Sequence, residues 1–215
     1  MYQRFTSDMY RVALGYAPPF ARQHYAALFD LEMQLARIVS STGEPVLRQI
    51  KLAWWREQLN DLGERAHADP VLRLLASNWL TETNSLVPIV DGWEALLGHI
   101  DQNSMQFCIR RRLEGYQAVA RLLNVSAAAA AVADAVRWWL AADLVGWSRA
   151  DDAMKYCIAS LADCWIVSLP RLPPVLRPLS ILAALGQRSI LRGGNPPLSR
   201  RSDALVAARV GLFGR

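Results

Sequence analysis

Few side chains in this sequence are of a type and spacing that does chemistry. His24, His67 and His99 stand apart, and none pairs at metal-ligand spacing with another His, a Cys or a carboxylate. Each reads as readily as an ordinary core or surface residue. The three cysteines, Cys108, Cys157 and Cys164, include no Cys-x-x-Cys pair, so neither a zinc site nor a disulfide framework follows. One acidic pair stands at i, i+4, Glu57 and Asp61. It is either a metal-binding pair or a solvated helix edge. Arg22, Arg37, Lys51 and Arg56 are candidates to face an anionic head group, against the plain reading of surface charge. Tyr25, Trp54 and Trp55 are candidates to line an apolar cavity, against ordinary interhelix packing. Glycine-rich phosphate loops and the serine nucleophile elbow are absent, and Gly193-Gly194 reads as a linker. Nothing in these motifs points to a nucleotide-binding α/β fold.

The elements that must position these residues are helical. Alternating β-branched runs with turn dipeptides are missing, whereas 3-4 spacing recurs throughout. A short first helix over 7–16 ends at Pro18-Pro19. A second runs from Ala21 to Ser40, with Leu28, Leu31, Leu35 and Ile38 or Val39 on its apolar face. Pro45 suits the first turn of a third, which reaches about Leu62. Leu52, Trp55, Leu59 and Leu62 form one stripe of it and Leu47, Ile50 and Trp54 another, so this helix is expected to lie between neighbours on both sides. Asp69 is a good N-cap for a fourth helix to about Thr83. Further helices are expected over Leu86–Ile100, Ser104–Leu123, Ser126–Trp147 and Asp151–Leu169. Pro170, Pro173, Pro174 and Pro178 then punctuate a linker, followed by one short helix over Leu176–Leu191 and a loosely held end, in which Ala204–Leu212 has room for one or two helical turns. The expected organisation is an all-α bundle over 1–170 and a basic tail over 171–215.

With 215 residues, 53% of them hydrophobic, the chain can fill one core. Its net charge of +5 is unevenly placed: residues 171–215 carry eight Arg and a single acid, Asp203. A basic tail on a near-neutral body suits a membrane surface, or serves only to keep the protein dissolved. No RNA-recognition motif occurs, so no nucleic-acid partner is expected. The start, Met1-Tyr2-Gln3-Arg4-Phe5-Thr6, lacks the apolar core of a secretory signal. The longest apolar stretch, Val125–Val136, is mostly Ala and too short to span a bilayer. Reduced thiols and the missing signal fit a cytoplasmic protein, membrane-peripheral at most.

The tract from Phe29 to Asp61 is the informative one. Arg22 precedes a helix carrying Leu35-Ala36-Arg37-Ile38-Val39, and Glu44-Pro45, Ile50-Lys51-Leu52 and Trp54-Trp55-Arg56 follow. His67-Ala68-Asp69-Pro70-Val71, Val90-Asp91-Gly92 and Tyr116 with Ala118-Val119-Ala120 come in order behind them. In these blocks the chain resembles the squalene/phytoene synthase family over about residues 8–123. The Glu-Pro to Trp-Trp-Arg block is the most specific part. The resemblance implies an isoprenoid-synthase-like helical bundle with a central cavity, here shortened at its carboxy-terminal side. Enzymes of the family join two prenyl diphosphates head to head, using Mg²⁺ held by aspartates to neutralise the departing diphosphate.

The chain departs from the family at that point. Where the first Asp-x-x-x-Asp belongs stands Ala36-Arg37-Ile38-Val39-Ser40. Glu32, the nearest acid on that helix, has no acidic partner at 36. Asp143 and Asp151-Asp152 lie in the region of the second motif without its context. The resemblance is closest to a branch that also lacks the aspartates, which includes a mitochondrial assembly factor for respiratory complex I. The expectation is a non-catalytic relative without a metal cofactor, binding a prenyl-lipid-like ligand or a protein partner in an assembly role. Two alternatives stand beside it: an active Mg²⁺-dependent prenyltransferase with relocated ligands, and a peripheral membrane adaptor acting through 171–215.

Overall fold

Local chemistry sets most helix starts. In the computed structural model, Asp69 accepts hydrogen bonds from the backbone N–H groups of Val71 and Leu72 at 2.8 and 3.2 Å, with Pro70 opening the helix behind it. Pro45 opens another after extended Glu44. Asp101 and Ser104 exchange side-chain and backbone bonds in a capping box, which starts a helix at Gln102.

The structure describes residues 2–64, 68–147, 158, 162, 165, 168–195, 198 and 200–214, with side chains from residue 6 onward. Among them are nine α-helices and no strand. These are α1 (Tyr2–Gly15), α2 (Arg22–Ser40), α3 (Pro45–Asn60), α4 (Pro70–Asn78), α5 (Val87–Glu94), α6 (Gln102–Leu122), α7 (Ala129–Trp147), α8 (Arg177–Leu191) and α9 (Arg201–Phe213). Short 3₁₀ turns at Leu80–Ser85, Ser126–Ala128 and Pro174–Leu176 join them. The helix expected over Asp151–Leu169 falls mostly outside the described residues, as do His67, Cys157 and Cys164.

α2 runs through the middle of the bundle. It touches α1, α3, α4, α5 and α6, and eleven of its residues are buried. α7 is apolar nearly all round and is held between α6 and α8. α8 packs tightly on α7 at Gly186, where a methyl group would stand 2.6 Å from the Trp139 Cα and 2.7 Å from the Trp138 carbonyl. Only hydrogen fits at that crossing.

Two expectations are corrected by this packing. Residues 171–215 are no appended tail. α8 buries ten of its residues against α7 and α1, and α9 packs on α8, so no boundary falls at 170. The prolines there begin elements: Pro174 opens a 3₁₀ turn and Pro178 sits in the first turn of α8, where a missing N–H is harmless. The second stripe of α3 is not sandwiched. Leu52, Trp55 and Leu59 face inward, but Val46, Leu47, Ile50 and Trp54 are exposed.

Candidate functional site

Three charged side chains occupy core-facing positions on three helices. On α2, Glu32 falls among Leu28, Leu31 and Leu35, in step with the buried stripe. On α6, Arg112 lies between Cys108 and Tyr116. On α7, Asp143 lies among Trp139, Leu140 and Leu144. Helical register therefore drives all three into the interior, where they meet with side chains 0–1% exposed.

The guanidinium of Arg112 is the centre. Its Nε donates to both Glu32 oxygens at 3.1 and 3.0 Å, and its Nη2 donates to Asp143 Oδ2 at 2.7 Å. The second Asp143 oxygen accepts from the Thr6 hydroxyl of α1 at 3.0 Å. Trp93 Nε1 of α5 donates to Glu32 Oε2 at 2.6 Å. Beside the cluster, the Tyr10 and Tyr116 hydroxyls are 3.1 Å apart, and the Tyr10 ring stacks on Phe29 at 4.1 Å. Buried ions at this depth persist only when paired and hydrogen-bonded, which the arrangement achieves on nearly every atom. Arg112 Nη1 has no hydrogen-bond partner among the described residues.

The electrostatics follow from burial. Desolvation pushes the Glu32 carboxyl above its usual range, although Arg112 and the Trp93 indole pull the other way. Burial pushes the Cys108 thiol up to about 12, so it is inert as a nucleophile. Both tyrosine hydroxyls are likewise raised by burial and stay protonated.

The family's enzymes use Mg²⁺, and the described residues do not fit that ion. A Mg²⁺ site needs carboxylate oxygens free to coordinate in near-octahedral geometry. Here both converging carboxylates are taken by a guanidinium that is itself fully buried. Among the described residues no group of three or more His, Cys, Asp or Glu is placed to hold a metal ion. Position 36 is a buried alanine, and the Ser40 hydroxyl is spent on the Ala36 carbonyl at 2.7 Å. Asp151 and Asp152 lie outside the described residues.

The basic set read from the sequence is dispersed. Arg22 and Arg37 stand at opposite ends of α2, about 22 Å apart on an axis rising ~1.5 Å per residue. Both are exposed: Arg22 reaches the Ala17 carbonyl at 3.4 Å and Arg37 the Gln34 side chain at 3.5 Å. Lys51 is exposed on α3. Arg56 is neutralised by Asp91 at 2.7 Å and Glu94 at 2.5 Å, and Arg111 joins the same Asp91. The four do not form one anion site. Of the aromatic trio, Tyr25 and Trp55 are buried, with the Tyr25 hydroxyl donating to the Val175 carbonyl at 2.8 Å. Trp54 is 43% exposed on the outer side of α3 and lines no interior space. Glu57 is exposed and Asp61 caps the end of α3, so this pair sits on the outside of the helix.

Sequence reasoning passed over Arg112 and the meeting of Glu32 with Asp143. The signal was present: each interrupts an apolar stripe at a position where helical spacing demands a core residue.

Compared with known proteins, the chain matches the squalene/phytoene synthase family model over residues 4–88, and neither a curated protein nor a solved structure matches it. The matched stretch holds nearly all of α1, then α2 to α4 and the first two residues of α5, the part of the bundle organised around α2. Over residues 4–88, then, the chain is similar to the squalene/phytoene synthase family.

Proposed function

We propose that this protein is a non-catalytic member of its family that binds a prenyl-lipid-like ligand or a protein partner in an assembly role. One observation carries the reading: among the described residues, the two interior carboxylates that face each other, Glu32 and Asp143, close on Arg112, so neither of these two acids is free to hold a metal. Diphosphate departs only when its charge is neutralised, and a carboxylate already bonded to guanidinium, indole or hydroxyl supplies no metal ligand for that task. The exposed apolar row of Val46, Leu47, Ile50 and Trp54 supports a protein partner, since four large side chains on one helix face are left without cover. Assembly in place of synthesis is drawn from the resemblance to the branch without aspartates, and it is fold-level reasoning.

The test is incubation with radiolabelled farnesyl and geranylgeranyl diphosphate over a range of Mg²⁺ concentrations. No condensed product is expected at any of them. A product that appears with the metal and vanishes with chelator would restore the prenyltransferase reading.

A further inference from the structure

α9 has two faces of opposite character. Its inner face buries Asp203, Ala207 and Val210. There Gly211 lies against the Tyr16 ring, which a methyl group would meet at 2.3 Å, and Asp203 accepts from Arg188 at 3.1 Å and Arg192 at 2.8 Å. Its outer face carries Arg201, Leu205, Arg209, Leu212 and Phe213, all exposed. At about 100° per residue these five span roughly 120° of the helix. Leu205, Leu212 and Phe213 are 72, 66 and 68% exposed, far beyond what folding alone accounts for in side chains of this size. The sole acid of residues 171–215, Asp203, is turned inward and neutralised, so this outer face holds cations and apolar groups with no carboxylate among them.

We propose that this face of α9 lies flat on an anionic lipid bilayer. The match is one of charge and geometry. A convex helix with arginine and large apolar residues interleaved along its length suits acyl chains beneath a plane of phosphate groups. Leu205, Leu212 and Phe213 enter the interface while Arg201 and Arg209 bend back to the phosphates. Among the described residues no helix is long and apolar enough to cross a membrane, so the contact is made from one side. A single short helix gives reversible, salt-sensitive attachment. The inference stands on the surface of α9 alone and is independent of what the interior of the bundle binds.

Sedimentation with vesicles of phosphatidylcholine, with or without about one third phosphatidylserine, tests it. The protein is expected to bind the anionic vesicles at low salt and to lose most of that binding by about 0.3 M salt. Arg201→Gln with Arg209→Gln should weaken binding roughly fivefold per arginine and remove the preference for the anionic lipid. Leu205→Ser with Phe213→Ser should weaken binding to both vesicle types. All four positions are exposed, so the melting temperature should stay unchanged. Wild-type protein that ignores anionic vesicles, or paired variants that bind as wild type does, would overturn the proposal. The vesicles contain no prenyl lipid. Failure here therefore leaves the interior reading standing, and prenyl diphosphate turnover would sink that reading without touching this one.

Discussion

The guanidinium carbon of Arg112 lies 4.3 Å from the centre of the Trp93 ring, and the same indole donates its N–H to the Glu32 carboxylate that Arg112 holds. One tryptophan thus supports both halves of a buried ion pair, the cation by its π face and the anion by its edge. Trp93→Phe keeps the face and removes the donor, which should lower stability by about 1–3 kcal/mol. Trp93→Leu removes both and should lower it further. Urea unfolding of the two variants checks the order; equal losses would mean that the donor and the face do not act separately.

Removing the cation should be worse than removing the whole cluster. Arg112→Met leaves two carboxylates facing each other without a counter-charge, for a loss of about 3–5 kcal/mol. Adding Glu32→Gln and Asp143→Asn should recover part of that loss, since the uncompensated charge goes with them. Arg112→Lys should fall between, because an ammonium cannot reach both acids with a planar fork. A triple variant no more stable than Arg112→Met would argue against charge as the source.

Two carboxylates should tilt the pH profile in opposite directions. The folded state raises Glu32, so the native protein holds the extra proton between the ordinary carboxyl range and the raised value. Its contribution is fullest at low pH and declines as pH rises through that window. For Asp203, burial pushes upward but hydrogen bonds from Arg188 and Arg192 prevail, and the folded value is depressed. Its contribution is complete above the ordinary carboxyl range and is lost as pH falls through the depressed value. Thermal unfolding across about pH 2 to 7 should show Glu32→Gln flattening the decline with rising pH and Asp203→Asn flattening the acid-side loss.

Glycines at two helix crossings should differ in tolerance. At Gly186 an added methyl meets backbone atoms of Trp138 and Trp139, which cannot step aside. Gly186→Ala should destabilise by about 1–3 kcal/mol. At Gly115 the nearest atom, at 2.4 Å, is the terminal Cδ1 of Ile89, which can rotate away. Gly115→Ala should therefore lose less, and differential scanning calorimetry of the two resolves the order.

Most of the helical plan was legible in the sequence. Pro45, Asp69-Pro70 and the leucine spacing of α2 mark starts and faces that the structure reproduces, because capping and periodicity are local. What lies against a face is not local. The stripe of Leu47, Ile50 and Trp54 announced an apolar surface, yet spacing carries no record of whether another helix covers it. Prolines 174 and 178 read as punctuation because proline interrupts a helix from within and initiates one from its first turn, and only the neighbours tell which. The candidate site suffered from the same limit. Spacing along one helix brings out Glu32 and Asp143 separately, but it carries no sign that they meet Arg112 from three helices.

The position of Arg112 also bears on what can be cut from this protein. The stretch shared with the family stops at residue 88, so it contains Glu32 but neither Arg112 nor Asp143, and it lacks the α7 and α8 pair locked at Gly186. Expressed alone, it would present a bare carboxylate and an unroofed row of leucines to water. The homologous part is a half-interior, and only the later helices make it a protein.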